Sequence, residues 1–279
     1  MTSTINLNST WDEYTFVAFD TETSGGYPLG ADIVEFGAVK WKSGKIIDEY
    51  QTLIKPEFEI PEFIIGIHGI TNEMVAAAPL MSEKINEIRE FIKGCVLLAH
   101  HAPFDMGFLT VDIERNHLPL PTEPVVCTSL LSRNVIKESP NNKLQTLIQF
   151  LHLQQGTAHR AKDDAIACLS VALECFKRMG PETTLEQIQK KMGKTLTWTS
   201  YSLISSREPS YQQIVEATIK HKDVDIVYEG GSVPGKVRRI TPIGIVRNPD
   251  GDYVMAICHI DRAQKRFYFQ RMKDVSVVF

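Results

Sequence analysis

Acidic residues end the first strongly apolar stretch of the chain. In F-V-A-F-D-T-E-T (residues 16–23), four apolar residues precede Asp20 and Glu22, which are separated by one threonine. Residues i and i+2 of a strand point to the same side, so a strand here would place both carboxylates together. For this pair alone, two solvated acids at a strand end are the favoured interpretation. Since a half-buried pair is costly unless a cation lies between the charges, a divalent-metal site is the second interpretation.

Further acids lie beside other predicted core elements. Asp105 ends H-H-A-P-F-D, which follows the apolar stretch C-V-L-L-A, and Asp163 and Asp164 lie in H-R-A-K-D-D-A, at the start of a helical pattern. Each could simply be an acid favoured by a helix dipole. Three acid sites beside core elements together indicate a shared metal-binding edge.

The pattern before residue 180 predicts the elements that would position these acids. Apolar or alternating stretches predict strands at 14–20, 33–41, 45–54, 95–99 and 125–128. Helical patterns lie at 81–92, 103–116, 143–151 and 162–179. Strands of both kinds alternating with helices predict an α/β domain with a mixed sheet.

Composition limits the classes of protein to consider. The chain has 279 residues, 43% hydrophobic and 23% charged, which suits one large or two modest globular domains. No apolar run approaches the ~18 residues of a membrane span, and the first ten residues do not resemble a secretory signal. Five cysteines, an odd number without C-x-x-C, indicate buried reduced thiols. We therefore expect a cytoplasmic protein without a membrane partner.

The net charge of −4 is unevenly distributed. Residues 1–208 carry −7, whereas residues 209–279 carry +3, with 11 basic against 8 acidic side chains. From 209, one helix precedes short β-rich stretches separated by turn residues, a pattern that predicts a small antiparallel barrel. The basic excess suits either a solvated surface or an anionic partner.

The motifs F-D-T-E-T, H-H-A-P-F-D and H-R-A-K-D-D-A, in this order, resemble those of the DEDDh 3′–5′ exonucleases, the superfamily of the proofreading epsilon subunit of bacterial replicative polymerase. The stretches G-I-H-G-I-T and K-L-Q-T-L are also similar to that family, and the resemblance covers residues 12–178. It implies an RNase H-like fold with a mixed five-stranded sheet. It also implies hydrolysis of phosphodiester bonds from a 3′ end with two divalent ions, Mg²⁺ or Mn²⁺, releasing nucleoside 5′-monophosphates.

The resemblance also implies roles for individual residues. The four metal-binding acids would be Asp20, Glu22, Asp105 and Asp164, and the general base would be His159. Asp163 is the rival ligand, but the family spacing favours Asp164. The implied substrate contacts are Thr21, Thr23, His68 and His101. His101 departs from the family, which usually has asparagine there, whereas Arg160 at the tyrosine position of a sister subgroup supports the histidine type.

The segment from 209 resembles a WYL domain, a small Sm-like or SH3-like barrel. The similar stretches are V-R-R-I-T-P-I-G-I-V, G-D-Y-V-M-A-I-C-H-I-D and K-R-F-Y-F-Q-R-M, although D-Y-V replaces the W-Y-L tripeptide. The resemblance implies nucleic-acid or nucleotide ligands. Candidate contacts are Arg238, Arg239, Tyr253, Arg266 and Arg271, with Phe267 as a second stacking candidate. The alternative is that the aromatic residues form the core and the arginines are solvated.

We therefore expect an exonuclease domain at 1–180, a linker with a short helix at 181–208 and a WYL-like barrel at 209–279. The predicted function is a metal-dependent 3′–5′ exonuclease acting on DNA in preference to RNA, at single-stranded or 3′ ends. The alternatives are an exoribonuclease of the same family, a regulatory nucleic-acid-binding protein with a non-catalytic first domain, and a structural α/β protein. The oligomeric state is left open.

Overall fold

The protein divides into two compact units in the computed structural model, which describes residues 5–154, 156–204, 209–247 and 251–278. The first comprises residues up to Ser24, Ile33–Asp105 and Pro121–Thr197. The second comprises Gly25–Asp32, Met106–Leu120 and the residues from Trp198 onward. The domain limits derived from the sequence stay a prediction. Residues 205–208 of the predicted linker and 248–250 of the predicted N-P-D-G turn lie outside the described residues.

The first unit contains a mixed five-stranded sheet in the order β3-β2-β1-β4-β5. Its strands are β1 (Phe16–Thr23), β2 (Ile33–Lys42), β3 (Lys45–Leu53), β4 (Val96–Ala99) and β5 (Val125–Cys127). The first three strands pair antiparallel, whereas β1 with β4 and β4 with β5 pair parallel. Strand β1 is central, and Phe16–Phe19 are completely buried, so its acidic end is held on a rigid support.

Helices accompany this sheet, and those near 81–92, 103–116, 143–151 and 162–179 lie where the periodicity predicts them, whereas those at 62–68, 72–75 and 128–135 were not predicted. They are α1 (Glu62–His68), α2 (Asn72–Val75), α3 (Met81–Ile92), α4 (Pro103–Arg115), α5 (Thr128–Val135), α6 (Leu144–Phe150), α7 (Ala161–Met179) and α8 (Leu185–Met192). Helix α7 packs against β1 and β2. The predicted apolar face of α7, at Ala165, Leu169, Ala172 and Phe176, is buried as expected from the helical period.

The second unit contains an antiparallel five-stranded sheet in the order β10-β6-β7-β8-β9. Its elements are α9 (Pro209–Ile219), β6 (Val224–Tyr228), β7 (Val237–Val246), β8 (Tyr253–Cys258), β9 (Ala263–Tyr268) and β10 (Met272–Val277). Leu29 and Val111, which precede this segment by many residues, belong to its hydrophobic core. The Glu114 carboxylate accepts hydrogen bonds from the backbone N–H groups of Leu203 and Ile204, each at 3.0 Å.

The two sheets confirm the predicted fold class: a mixed α/β unit and a separate small β unit. All five cysteine thiols are buried. Within the residues that the structure describes, the helices are too short or too polar to cross a membrane.

Candidate active site

Strand β1 presents Asp20 and Glu22 at the edge of the first unit's sheet. In the antiparallel pairing of β1 with β2, Asp20 lies opposite Gly37 and Glu22 lies opposite Glu35. Because the two acids are separated by one residue, their side chains project to the same side of the sheet. The strand therefore places the two carboxylates together, as the sequence predicts.

Asp105 reaches the same strand from the first turn of α4. Its Oδ1 accepts a hydrogen bond from the Thr21 backbone N at 3.1 Å and another from Thr21 Oγ1 at 2.8 Å. Asp105 is only 2% exposed, so these contacts fix its carboxylate inside the protein. Thr21, predicted to contact the substrate, thus holds a predicted metal ligand.

Asp164 and His159 come from the start of α7 and the loop before it. The His159 backbone N donates to Asp164 Oδ2 at 2.9 Å, and Gln145 Nε2 lies 3.5 Å from Asp164 Oδ1. The His159 side chain is exposed, and ligand atoms of Glu22, His159 and Asp164 lie within 4.8 Å of one another. Residues from β1 and α7 that are more than 130 positions apart therefore meet at one point.

The rival acid Asp163 has a different environment. Its Oδ2 accepts a hydrogen bond from the Thr157 backbone N at 2.7 Å, so its carboxylate stabilises the loop before α7. Asp164 is buried, and its carboxylate lies within 4.8 Å of the ligand atoms of Glu22 and His159, which supports the choice of Asp164 for the metal set.

The four carboxyl groups share an environment that opposes their ionisation. Burial raises the pKa of Asp20 well above its usual value, and the charges of Asp105, Glu22 and Asp164 raise it further. Burial and the neighbouring acids raise the pKa of Glu22 to about 8. Burial raises the pKa of Asp105 to about 7 against the opposing hydrogen bonds from Thr21, and burial also raises the pKa of Asp164. A buried acidic cluster of this kind accumulates negative charge only when a cation compensates it.

This set of donors fits divalent metal ions. Mg²⁺ and Mn²⁺ prefer carboxylate oxygens, and four carboxylates from three separate elements converge here. The residues that would hold the ions are Asp20, Glu22, Asp105 and Asp164. The raised pKa values are an argument independent of sequence spacing, because at Glu22 burial and the charges of the neighbouring acids outweigh the charge of Arg160.

The remaining substrate candidates of the first unit lie at different depths. Thr23 is buried at the end of β1. His68 is buried at the end of α1, where its Nδ1 accepts from the Ile70 backbone N at 3.0 Å and burial lowers the imidazole pKa. The charges of Glu35 and His159 also act on His68, which places it beside the acidic cluster. His101 is exposed, with a left-handed backbone φ of 65°.

The candidates of the second unit divide into buried and exposed residues. Arg238 is 1% exposed, and its Nη2 donates to the carbonyl oxygens of Gly230 and Val233 at 3.3 and 3.4 Å. Its Nη1 also lies 3.5 Å from Asp261 Oδ2. This burial argues against the predicted phosphate contact of Arg238, because its guanidinium is turned into the unit. Phe267 is likewise buried, which favours its alternative role in the core.

The other arginines reach the surface of the second unit. Arg239 is exposed and bonded through two nitrogens to Asp225, each at 2.9 Å. The Arg266 guanidinium lies 5.2 Å from the centroid of the half-buried Tyr253 ring. Arg271 lies 5.9 Å from the ring of Tyr268. Among the predicted contacts, Arg266 and Tyr253 form the pair best placed to receive a flat, anionic ligand.

Sequence reasoning missed one buried charged group next to the acidic cluster. Glu35 is fully buried and forms an ion pair with Arg160, with 2.7 Å between Arg160 Nη2 and Glu35 Oε1. A signal was available, because Glu35 interrupts the apolar stretch I-V-E-F-G-A-V of a predicted core strand. A charged residue in such a position requires a partner.

Comparison with known proteins agrees with this arrangement. Residues 17–172, more than half of the chain, match the exonuclease family RNase_T, and residues 209–277 match the WYL domain. The PolC-type DNA polymerase III of Caldanaerobacter subterraneus subsp. tengcongensis is 38% identical over 165 residues, which cover 59% of this chain. The match covers 12% of that polymerase, so the chain spans about an eighth of this relative's length.

Solved structures show the same fold. Exonuclease X in complex with 5′ overhanging duplex DNA is 26% identical with a TM-score of 0.50, covering 64% of this chain and 99% of that one. The nuclease domain of 3′hExo, a DEDDh family member bound to rAMP, is 21% identical with a TM-score of 0.53, covering 62% and 96%. The fold of the first unit is therefore RNase H-like. The chain belongs to the RNase_T exonuclease family and also carries a WYL domain.

Proposed function

We propose that the protein is a metal-dependent 3′–5′ exonuclease that shortens DNA from single-stranded or recessed 3′ ends and releases nucleoside 5′-monophosphates. The observation that carries the proposal is the convergence of four buried or half-buried acids with raised pKa values beside the exposed side chain of His159. The likeness to exonuclease X, which was solved with 5′ overhanging duplex DNA, supports DNA as the substrate class.

The four acids would supply the metal-binding part of this chemistry. Bound divalent ions would lower the pKa of an attacking water and stabilise negative charge on the leaving 3′ oxygen. Asp20 and Glu22 are fixed by the buried strand β1, and Asp105 is fixed by the two hydrogen bonds from Thr21. This rigidity matters because electrostatic catalysis depends on groups that need not reorganise during the reaction.

His159 would act as the general base. Its backbone N–H is tied to the Asp164 carboxylate, whereas its imidazole is exposed beside Glu22 and Asp164. A neutral imidazole in this position can accept the proton of the water that attacks the terminal phosphodiester. Hydrolysis then leaves the phosphate on the released nucleotide and a free 3′ hydroxyl on the shortened strand.

The substrate would be held by residues around this centre. Thr23 and His68 border the acidic end of β1, and His101 lies on the loop before α4. In the second unit, Arg266 and Tyr253 offer a charged and aromatic surface for a nucleic-acid strand.

The deciding experiment uses 5′-labelled single- and double-stranded DNA and RNA with Mg²⁺, Mn²⁺ or EDTA. We expect stepwise shortening of DNA that requires metal and is abolished in Asp164→Ala. Glu174→Ala, which removes another acid from the same helix, should retain full activity. Metal-independent or internal cleavage, or equal activity in Asp164→Ala, contradicts the proposal. Faster shortening of RNA than of DNA favours the exoribonuclease alternative, and binding without cleavage favours the regulatory one.

A further inference from the structure

Strand β2 carries none of the predicted metal ligands, yet two of its residues meet the start of α7. Gly37 lies opposite Asp20 and Glu35 lies opposite Glu22 in the pairing with β1. Gly37 and Glu35 are two positions apart, so they face the same side of the sheet. On that side lies the segment that carries His159.

Gly37 allows α7 to approach the sheet very closely. A Cβ atom at this position would lie 2.1 Å from the Lys162 backbone N and 2.4 Å from the Ala161 carbonyl carbon. Both distances are too short for any side chain, and both neighbouring atoms are backbone. Gly37 therefore permits direct backbone contact between β2 and the first turn of α7.

Glu35 holds the same turn by hydrogen bonds. Its carboxylate accepts from Arg160 Nε at 3.2 Å, Arg160 Nη2 at 2.7 Å and the Ala161 backbone N at 3.0 Å. Gln51 Nε2 adds a fourth donor at 2.8 Å. Burial alone would raise the pKa of Glu35, but these hydrogen bonds outweigh it and the pKa is lowered. Glu35 is thus an ionised group in a region where the neighbouring acids resist ionisation.

The contacts of Glu35 lie directly after the proposed general base. Arg160 follows His159 and is the N-cap residue of α7, and Ala161 is the first residue of that helix. His159 itself has a left-handed backbone φ of 60°, which costs a residue with a Cβ some free energy and persists only where neighbours impose it. Asp164 restrains the backbone N of His159, and Glu35 restrains the two residues that follow.

We propose that Glu35 is a positioning residue for His159: by binding Arg160 and the α7 N-terminus, it fixes the loop that presents the imidazole to the substrate. This inference rests on the proposed function, in which His159 is the general base. Glu35 touches neither substrate nor metal in this role. Its effect on the reaction passes through the position of His159.

The first test compares kcat and KM of Glu35→Gln with those of the wild type. We expect kcat to fall about 10²-fold, at the lower end of what a positioned general base contributes, with KM changed less than about twofold. Arg160→Lys retains the positive charge but loses the two-nitrogen contact with Glu35, so it should lower kcat in the same way. It replaces Glu35→Gln in the test if circular dichroism shows that Glu35→Gln folds poorly. Lys162→Gln is the matched control, because it removes an exposed ion pair with Glu49 from the same helical turn. It should leave kcat unchanged.

A double-mutant cycle separates positioning from general support of the fold. In single-turnover measurements on His159→Ala, we expect the added Glu35→Gln change to cost less than about threefold, because its target is already absent. An undiminished 10²-fold loss in that background overturns the inference.

An imidazole NMR spectrum supplies a readout that does not depend on activity. The chain has eight histidines, and the His159 signal is identified by its absence from the spectrum of His159→Gln. In metal-free protein, Glu35→Gln and Arg160→Lys should shift or broaden this signal, whereas Lys162→Gln should not. An unchanged signal with unchanged kcat overturns the inference. If the wild type itself lacks exonuclease activity, the proposed function is wrong. The imidazole spectrum then still tests whether Glu35 fixes the loop that carries His159.

Discussion

The acids clustered at the end of β1 and two acids of the second unit, Asp225 and Asp261, have opposite electrostatic environments. In the exonuclease unit, burial and mutual repulsion raise the pKa values of Asp20, Glu22 and their partners. In the second unit, hydrogen bonds from Arg239 and Lys265 lower the pKa of Asp225 and bring that of Asp261 to about 2. Acids that are bonded to cations stabilise a surface, whereas acids crowded without a cation are prepared to bind one.

Glu35 shows that the difference comes from pairing rather than from burial. It is completely buried, whereas Asp20 and Glu22 are half-buried, yet its pKa is lowered because Arg160, Ala161 and Gln51 donate to it. A carboxylate with enough donors can therefore stay charged inside this unit. The raised pKa values of the four predicted metal ligands reflect the repulsion that metal ions would relieve.

The substitution Asp20→Asn tests most directly whether the crowded acids of the first unit bind metal. We expect activity to fall about 10³-fold or more, because several kcal/mol of charge stabilisation would be lost with the metal ligand. At alkaline pH, where the metal-free cluster would carry its charges, the same change should raise the melting temperature, because it removes one of the repelling charges. Assays in Mg²⁺ and thermal unfolding in EDTA measure the two effects.

Asp225→Asn serves as the matched change in the second unit. It removes an acid bonded to Arg239, so it should leave catalysis intact and should not raise the melting temperature. A lower melting temperature for metal-free Asp20→Asn would contradict this expectation. It would show that Asp20 stabilises the metal-free protein despite the repulsion among the acids.

Metal addition should produce the next largest effect. If the folded protein alone binds the ions, a concentration about 100 times Kd stabilises it by about 2.7 kcal/mol. For a unit of this size, the melting temperature should rise by about 5–10 °C. The titration compares Mg²⁺ or Mn²⁺ with EDTA, and Asp20→Asn should respond much less. Equal responses of the two proteins would place the stabilising ion elsewhere.

The dependence of stability on pH follows from the same pKa values. Carboxyl groups of the unfolded chain titrate near pH 4, whereas Glu22 and Asp105 of the folded, metal-free protein titrate near 8 and 7. Between these limits the folded state binds more protons than the unfolded state. The contribution of these acids to stability is therefore present below about pH 4 and is lost as pH rises through 7 to 8.

We accordingly expect the metal-free protein to melt at a lower temperature at pH 8 than at pH 5.5. Glu22→Gln should weaken this dependence, because it removes the group with the pKa of about 8. Saturating Mg²⁺ should also weaken it, since bound metal would keep the acids ionised at both pH values. A melting temperature that rises with pH in EDTA contradicts the raised pKa values.

The sequence was informative wherever the chemistry is local. The strand F-V-A-F-D-T-E-T placed Asp20 and Glu22 together through the period of two, and the helical patterns located Asp105 and Asp164 in first turns. The structure brings these four acids into one cluster. Short-range periodicity placed each acid at the end of a regular element, whereas the choice of these four as one metal set came from the resemblance of the motifs to an exonuclease family.

Longer-range arrangement could not be derived in this way. Glu35 and Arg160 are 125 positions apart, so their ion pair depends on how α7 packs against β2. In V-R-R-I, adjacent strand residues face opposite sides, so one arginine had to point inward, but only the register shows that it is Arg238. The inclusion of Leu29 and Val111 in the core of the second unit had no signal in the composition.

The smallest expected effect concerns the surface of the second unit. Arg239 is bonded to Asp225, whereas the Arg266 guanidinium lies over the Tyr253 ring, so Arg266 is better placed to receive a phosphate. We expect Arg266→Ala to weaken DNA binding a few-fold and to reduce the slope of log affinity against log salt by about one. The single-turnover rate at saturating DNA should stay unchanged, because no step of the hydrolysis involves this residue.

Fluorescence anisotropy at several salt concentrations measures this change. The control is Lys220→Ala, which removes an exposed lysine directly after α9 that is paired with Glu216. Point substitutions are preferable to removal of residues 209–279, since such a truncation would expose Leu29 and Val111. If Arg266→Ala and Lys220→Ala have the same salt slope as the wild type, Arg266 does not contact DNA. The arginines of the second unit would then stabilise its structure, as its paired acids do. If Arg266→Ala alone changes the slope, Arg266 binds a DNA phosphate, and the second unit uses a basic side chain to bind the substrate.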